Sequence, residues 1–194
     1  MDAQVKYLAL GDSYTIGESV AKNERWPNQL ADKLSANKPL IIATTGWRTD
    51  NLINATTIAK LKEEYDLVSL LIGVNNQYQG KPIDQYAIEF EMLLNTSVRL
   101  GKGKKENVFV VSIPDYGFTP FGLKNLEKIS SAIDLFNGVA KEICDNLQVK
   151  YIDITDISRQ GLEESSLFAP DGLHPSGKMY ALWAERIEEV LTQK

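Results

Sequence analysis

The stretch Leu67-Val68-Ser69-Leu70-Leu71-Ile72 is apolar at every position except the serine. A strand with one face in water alternates apolar and polar residues, whereas a strand covered on both faces reads as a continuous apolar run. Four other short runs are also predominantly apolar, at residues 5–10, 40–44, 108–113 and 149–152. The sequence therefore predicts a central parallel five-stranded sheet that is buried by a layer on each side.

Between these runs, apolar residues recur every three or four positions, as in helices that bury one face. The stripes are Trp26, Leu30 and Leu34; Tyr86, Phe90, Leu93, Leu94 and Val98; Ile129, Ile133, Phe136, Ala140, Ile143 and Leu147; and Met179, Trp183, Ile187, Val190 and Leu191. Strands that alternate with helices predict an α/β fold with helices on both faces of the sheet. The 194 residues, of which 43% are hydrophobic, fit a single domain over residues 1–194.

The charge balance limits the partners that the chain is expected to bind. The net charge is −5, and the short basic cluster at residues 102–105 is best interpreted as a solvated loop. We therefore expect neither nucleic acid nor an anionic membrane as a partner. No apolar segment suggests a signal peptide or a membrane span, so the chain as given is expected to be cytoplasmic, although removal of an export signal would leave the same pattern.

Cysteine and histidine each occur once, which excludes an intramolecular disulfide and a zinc site of the cysteine–histidine kind. Cys144 lies on one of the helical stripes, so we expect it to be a buried hydrophobe rather than a reactive thiol. No metal or other cofactor is expected.

Three residues suit nucleophilic catalysis. Ser13 follows an apolar run that ends at Gly11, and Asp171 lies three residues before His174, the only histidine. A serine hydroxyl becomes a good nucleophile when an imidazole takes its proton and a carboxylate orients that imidazole. Residues just beyond the carboxyl end of a parallel strand face the crevice where open α/β sheets bind ligands. The sequence therefore predicts Ser13 as nucleophile, His174 as base and Asp171 as its orienting group.

Plainer interpretations of the same residues remain open. Glycine, aspartate and serine are common in turns and helix caps, so Asp12 is expected to cap a helix rather than transfer protons. Asp171 could likewise cap the helix that begins near Ser176. A glycosidase that pairs Asp12 with Asp171 is disfavoured. A flavodoxin-like binding module would instead hold a phosphate at residues 11–17.

Four segments in order resemble the blocks of the GDSL family of serine hydrolases, also called SGNH hydrolases. They are Gly11-Asp12-Ser13-Tyr14, the glycine of Ala43-Thr44-Thr45-Gly46-Trp47-Arg48-Thr49, Gly73-Val74-Asn75-Asn76, and Asp171-Gly172-Leu173-His174-Pro175. The resemblance implies a three-layer α/β/α, flavodoxin-like fold and hydrolysis of carboxylic esters through an acyl-enzyme. Acetyl sugars, lysophospholipids and thioesters are all compatible small-molecule substrates.

The resemblance also implies an oxyanion hole formed by the backbone N–H groups of Ser13 and Gly46 and the side-chain amide of Asn75. Two residues depart from the family pattern, Tyr14 in place of leucine and Asn76 in place of aspartate. Tyr14 is expected to change the packing or pocket shape beside the nucleophile. Asn76 is the departure to suspect if the chain is an inactive relative, although every residue that turnover requires is present.

Aromatic residues near these blocks are candidates for a substrate pocket. Tyr116, Phe118 and Phe121 lie in the loop after the fourth predicted strand, and Trp47 follows the oxyanion glycine. Large aromatic side chains commonly line small-molecule sites. We therefore expect Trp47, Tyr116 and Phe118 at the substrate pocket, and Arg48 in a surface salt bridge.

Overall fold

The computed structural model describes residues 5–193, which contain one five-stranded sheet in the order β2-β1-β3-β4-β5. All of its neighbouring strands run parallel. The strands are β1 (Tyr7–Gly11), β2 (Leu40–Ala43), β3 (Leu67–Leu71), β4 (Val108–Val111) and β5 (Lys150–Ile152). The prediction of five parallel strands is confirmed, with strand ends that differ from the predicted runs by at most two residues.

Helices connect the strands. They are α1 (Ser13–Ile16), α2 (Trp26–Lys33), α3 (Thr49–Ile58), α4 (Val74–Tyr78), α5 (Ile83–Leu100), α6 (Leu126–Leu147), α7 (Thr155–Arg159) and α8 (Gly177–Thr192). Helices α2 and α8 pack against each other in one layer, while α5 packs against both α3 and α6 in the other. The predicted three-layer α/β/α architecture is confirmed.

The core lies on both faces of the sheet. β1, β3 and β4 are buried along their whole length, as their continuous apolar sequences predict. On one face, the ring of Trp26 from α2 packs against Phe109 of β4 with centroids 6.4 Å apart. On the other, Tyr86 of α5 packs against Phe136 of α6 at 4.7 Å. Cys144 is a buried free cysteine, as predicted.

Strand order and register determine where a site can form. The chain passes from β1 to β2 at one edge and then crosses to β3 on the other side of β1, so the winding direction reverses at β1. Such a reversal opens a crevice beyond the carboxyl ends of the strands. Gly11 at the end of β1 pairs with Ala43 of β2 and with Leu71 of β3, so these three strands end level with one another. The loops that follow them therefore meet at one edge.

Within residues 5–193, none of the helices combines the length and the apolar character that a membrane span requires.

Candidate active site

Ser13 is the first residue of α1 and lies just beyond the end of β1. The turn between strand and helix requires Gly11, because a Cβ there would lie 2.5 Å from the carbonyl oxygen of Leu71. Asp12 caps α1, since its Oδ1 accepts a 3.0 Å hydrogen bond from the N–H of Tyr14. Ser13 is 5% exposed and lines a cavity. The tight turn thus presents the serine hydroxyl at the edge of the sheet.

The carboxyl of Asp12 is fully buried. Burial raises its pKa to about 7, although the hydrogen bond from the N–H of Tyr14 partly offsets the shift. Asp12 does not belong to the cavity lining, and its Oδ2 lacks a hydrogen-bond partner among the described residues. Asp12 therefore acts as a helix cap, as expected, and the geometry gives no support to a glycosidase that pairs it with Asp171.

Asp171 and His174 form a direct pair, in which His174 Nδ1 lies 2.7 Å from Asp171 Oδ2. The other carboxylate oxygen, Oδ1, accepts 2.9 Å hydrogen bonds from the N–H groups of Leu173 and His174. The hydroxyl of Ser19 donates to Oδ2 at 2.5 Å. With Nδ1–H directed at the carboxylate, Nε2 is the imidazole nitrogen that can accept a proton.

The environment of Asp171 keeps its side chain ionised. Partial burial by itself would raise the pKa of this carboxyl, but the hydrogen bonds from Ser19, His174 and the backbone outweigh that effect and hold the pKa well below its usual range. Asp171 does not cap the final helix, because Ser176 occupies the N-cap position of α8 and accepts from Met179. A permanently charged carboxylate beside the imidazole is the arrangement that orients a histidine base.

The cavity at this edge has a volume of about 270 Å³ and brings Ser13 and His174 together with Gly46 and Asn75. Its remaining lining residues are Tyr14, Thr45, Val74, Tyr78, Tyr116, Phe121 and Leu173. This lining contains no lysine, arginine, aspartate or glutamate. The walls are therefore mostly apolar and uncharged, with a few polar groups placed at one end.

Tyr14, which replaces the leucine of the family pattern, packs against His174. Its ring packs edge-on against the imidazole of His174, with centroids 5.9 Å apart and an interplanar angle of 62°. On its other side it packs against Trp183 of α8 at 6.3 Å. The substitution therefore connects the histidine to the helical layer through stacked aromatic rings.

Two loops position the expected oxyanion donors. Gly46 lies in a turn in which the N–H of Trp47 donates to the carbonyl of Thr44 at 3.2 Å, and its φ of +84° favours glycine. Asn75, in the first turn of α4, donates from Nδ2 to the carbonyl of Trp47 at 2.9 Å. The second hydrogen of that amide can serve an oxygen atom in the cavity. Ser13 contributes an N–H from the first turn of α1, where helical N–H groups lack an intrahelical partner.

Asn76 has a structural explanation. Its Oδ1 accepts from the N–H of Thr49 at 3.0 Å, and its Nδ2 donates to Thr49 Oγ1 at 2.6 Å. The Thr49 hydroxyl in turn donates its own hydrogen to Glu89 of α5. An aspartate at position 76 could not donate to Thr49, so the amide matches this network. Asn76 therefore joins α4 to the start of α3 without disturbing Asn75.

The aromatic residues divide into two groups. Tyr116 lines the cavity and forms a cluster with Tyr78 and Phe121, with ring centroids 6.2 to 6.5 Å apart. Phe118 instead faces Arg159, whose guanidinium carbon lies 6.0 Å from the ring centroid. Trp47 lines a different cavity beside α3. Trp47 and Phe118 thus lie outside the cavity that contains Ser13.

Local hydrogen bonds explain this division. Arg159 donates from Nε to the buried Asp115 at 3.0 Å, which fixes the guanidinium against which the Phe118 ring packs. Tyr116 donates from its hydroxyl to Gln77 at 2.9 Å, which holds its ring on the side of α4. Tyr78 lies on α4 one turn after Asn75, and this helical spacing is the signal that could have placed it on the same side of the helix as Asn75. Arg48 pairs with Asp50 at 2.7 Å, as expected.

A search of residues 5–193 finds no group of three or more histidine, cysteine, aspartate or glutamate side chains arranged to hold a metal ion. Serine, imidazole, carboxylate and amide groups are instead the chemical groups at this edge of the sheet. They are sufficient for acyl transfer by a serine nucleophile.

Comparisons with known proteins identify the family of this chain. Residues 9–182 match the GDSL-like Lipase/Acylhydrolase family. YpmR of Bacillus subtilis (strain 168), described as uncharacterized, is 22% identical in an alignment that covers 96% of this chain and 81% of that protein. The resemblance carried by the four sequence blocks is therefore confirmed.

Solved structures share the fold at low sequence identity. A member of the lipolytic protein G-D-S-L family from Veillonella parvula DSM 2008 superposes with a TM-score of 0.72 at 16% identity, over 97% of this chain and 99% of that chain. The acetylxylan esterase Axe2 from Geobacillus stearothermophilus gives a TM-score of 0.74 at 17% identity, over 99% and 96% of the two chains.

Proposed function

This chain belongs to the GDSL-like lipase/acylhydrolase family, and from that premise we propose that it hydrolyses carboxylic esters with Ser13, His174 and Asp171 as its catalytic triad. The observation that carries the proposal is the 2.7 Å contact between His174 and Asp171, in a protein where His174 and Ser13 line one cavity. A charged carboxylate that orients an imidazole beside a serine is the arrangement that activates a hydroxyl nucleophile.

In the proposed mechanism, Ser13 Oγ attacks the ester carbonyl carbon while His174 Nε2 takes the hydroxyl proton. The tetrahedral intermediate collapses, the bond to the alcohol oxygen breaks, and His174 returns the proton to that oxygen. The acyl group remains on Ser13. A water molecule then attacks the acyl-enzyme as His174 takes its proton, and the carboxylic acid leaves when the proton returns to Ser13. Asp171 stabilises the imidazolium that forms in each half of the reaction.

The oxyanion of each tetrahedral intermediate is held by the N–H groups of Ser13 and Gly46 and by the amide of Asn75. The hydrogen bond from Asn75 to the carbonyl of Trp47 supports this assignment, because it fixes the side chain against the loop that carries Gly46. Donors that are fixed before the reaction stabilise the developing charge without reorganisation.

The cavity favours a small, uncharged acyl group. At about 270 Å³ it is slightly below the usual range of small-molecule sites, and its lining carries no ionised carboxylate, lysine or arginine. Tyr78, Tyr116 and Phe121 form an apolar wall for the acyl chain. We therefore propose, as the substrate class, esters whose acyl chain is short and carries no charge. This class is compatible with the name of one structural neighbour, an acetylxylan esterase.

A phosphate-binding function for residues 11–17 is less well supported. The helix that would receive the phosphate has four residues, and the Asp12 carboxyl already accepts from its second N–H group. Phosphate binding at residues 11–17 would also not require the contact between Asp171 and His174. An inactive relative is also disfavoured, because Asn76 fits its hydrogen-bond network and every group of the triad is present.

The proposal is tested with a fluorophosphonate probe, which reacts with activated serines whatever the natural substrate. Mass spectrometry should locate the label on Ser13, and labelling should be lost in Ser13→Ala and His174→Ala. The matched control is Ser131→Ala, which replaces an exposed serine on α6. The probe should label Ser13 of this variant as it does in the wild type. Folded wild-type protein that does not react, or a His174→Ala variant that reacts at the normal rate, would refute the proposed mechanism.

A further inference from the structure

Ser19 has an unusual backbone conformation. It follows α1 and has a φ of +65°, a left-handed value that residues with a Cβ rarely adopt. Such a conformation persists only where the surrounding structure imposes it, and it is concentrated at functional sites. The Ser19 hydroxyl donates to Asp171 Oδ2 at 2.5 Å, across a sequence separation of 152 residues. The strained residue therefore contacts the group that orients the histidine.

We propose that Ser19 is a positioning residue of the active site, whose hydroxyl fixes the carboxylate of Asp171 so that Oδ2 stays aligned with Nδ1–H of His174. The inference rests on the proposed esterase function. It adds a fourth side chain to the Ser13, His174 and Asp171 set.

The hydrogen bonds of Asp171 show why a further donor is needed. Two backbone N–H groups hold Oδ1, but they belong to the same short turn as Asp171 itself. Oδ2 receives the imidazole and the Ser19 hydroxyl, and the Asp171 side chain is 33% exposed. Without Ser19, water would compete for Oδ2 and the carboxylate could rotate away from the imidazole plane. Ser19 is the donor that reaches Oδ2 from a distant part of the chain.

The conformation of the loop explains why the hydroxyl reaches this position. Ser19 is exposed, so a flexible serine would exchange its bond to Asp171 for bonds to water. Left-handed φ values at Gly17 and Ser19 turn the chain back toward the cavity and direct the hydroxyl at Asp171. Glu18, between them, accepts a hydrogen bond from Thr45, the neighbour of Gly46. The loop at residues 17–19 thus contacts both the segment that contains Asp171 and His174 and the segment that contains Gly46.

The decisive variant is Ser19→Gly. Glycine adopts the left-handed conformation without strain, so the variant removes the hydroxyl and keeps the backbone. With p-nitrophenyl butyrate as the probe substrate, we expect kcat to fall about tenfold, since a hydrogen bond to a charged group is lost, while KM changes little. The melting temperature should fall only slightly, because water can replace the lost hydroxyl at this exposed position and relief of backbone strain offsets the added freedom of the unfolded chain.

Ser35→Gly is the matched control. Ser35 is also an exposed serine with a left-handed φ, of +51°, and lies after α2. This variant should show the same small change in melting temperature with a wild-type kcat. If Ser19→Gly retains the wild-type kcat, or if its loss of activity accompanies a melting temperature well below that of Ser35→Gly, the positioning role is refuted.

A spectroscopic measurement tests the same role without a substrate. His174 is the only histidine in the chain, so its Nδ1–H proton gives one assignable downfield NMR signal. We expect this signal to shift and to exchange faster with water in Ser19→Gly but not in Ser35→Gly. If the wild type fails to react with the probe while the signal still responds to Ser19→Gly, the esterase proposal fails and the contact with Ser19 stands. An unchanged signal overturns the role of Ser19.

Discussion

In the proposed mechanism, the side chain of Asn75 serves both the fold and the reaction. Its amide donates to the carbonyl of Trp47 and lines the cavity of Ser13. Removal of one oxyanion donor typically lowers kcat by about 10²–10³-fold. We therefore expect Asn75→Ala to lose this much in kcat with a small change in KM, measured by steady-state hydrolysis of p-nitrophenyl butyrate. Asn54→Ala, on the exposed face of α3, is the control. A loss that appears only in KM would assign Asn75 to substrate binding.

The raised pKa of the buried Asp12 carboxyl leads to a prediction about how stability depends on pH. In the unfolded chain its carboxyl has its ordinary pKa of 3.8, whereas burial raises the pKa to about 7 in the folded protein. The folded state therefore holds this proton more tightly, and the resulting stabilisation, complete below pH 3.8, is lost as the pH rises through 7. Between the two values the free energy of unfolding should fall by roughly 1.4 kcal/mol per pH unit from this group alone.

Asp12→Asn removes that dependence, because the amide oxygen can still accept from the N–H of Tyr14 without ionising. Relative to the wild type, the variant should become progressively more stable between pH 5 and pH 7.5, as measured by urea unfolding. Asp32→Asn, at an exposed position on α2, should show no such trend. A constant difference between Asp12→Asn and the wild type across this range would contradict the buried, titrating carboxyl.

The sequence indicates some residues of the site and hides others for a physical reason. His174 is recognisable because it is the only histidine in the chain, and Ser13 and Asp171 because their neighbours match the family blocks. Ser19 is not, since its importance depends on a partner 152 residues away and on a backbone angle. Tyr78 is not among the predicted pocket residues, because its spacing from Asn75 indicates only its side of α4, whereas its contact with Tyr116 depends on tertiary packing.

At the scale of elements, the strands and the amphipathic helices are predictable because their burial is continuous or periodic. Helix α3 was not predicted, since its buried residues are only Thr49, Leu52 and Thr56. The start of α3 is held by two hydrogen bonds, a local one from the N–H of Arg48 to Asn51 and one from the N–H of Thr49 to Asn76 of α4. A helix that buries so few apolar residues gives little periodic signal in its own sequence.

The junction of α3 and α4 supplies a prediction for Asn76→Asp. Thr49 has one hydroxyl hydrogen, which it donates to Glu89, and a carboxylate at position 76 would compete for it while adding a buried negative charge. We expect the variant to lose about 1–3 kcal/mol in the free energy of unfolding at pH 8. The loss should be smaller at pH 5, because a protonated carboxyl can donate to Thr49 as the amide does.

A double-mutant cycle isolates this effect. Glu89→Gln removes the competing carboxylate, so the cost of Asn76→Asp should shrink when both changes are combined, as measured by urea unfolding at pH 8. Glu91→Gln, an exposed position on the same helix, is the control and should leave the cost unchanged. Strict additivity of the Asn76 and Glu89 changes would show that the two side chains do not share the Thr49 hydroxyl.

At the scale of the whole molecule, the strand order assembles the site from distant segments. The alternation of strands and helices predicts a parallel sheet, and the level ends of β1, β2 and β3 bring the serine, the glycine and the asparagine loops to one edge. Which aromatic rings face the resulting cavity was not predictable. Phe118 packs against Arg159, which Asp115 holds in place, and these two residues precede and follow α6 in the sequence.

The negative charge of the whole molecule and the uncharged lining of the cavity both disfavour substrates with a negatively charged acyl chain. The chain carries a net charge of −5, and the cavity lining has no lysine or arginine that could pair with a negative group. An acyl chain that ends in a carboxylate would have to lose its water without gaining a partner, which costs several kcal/mol. We expect kcat/KM for mono-p-nitrophenyl succinate to be at least about 100-fold below that for p-nitrophenyl butyrate, since each 1.4 kcal/mol is a factor of ten.

The methyl ester of the same succinate is the matched control, because it has a longer chain but no charge. It should recover most of the butyrate rate if charge rather than length is the barrier, as measured by release of p-nitrophenol. Added salt should raise kcat/KM for mono-p-nitrophenyl succinate only slightly, because salt screens exposed charges and does not supply a partner for the carboxylate inside the cavity. Equal rates for the succinate and the butyrate would contradict a neutral acyl pocket and indicate that the acyl chain lies outside this cavity, in water.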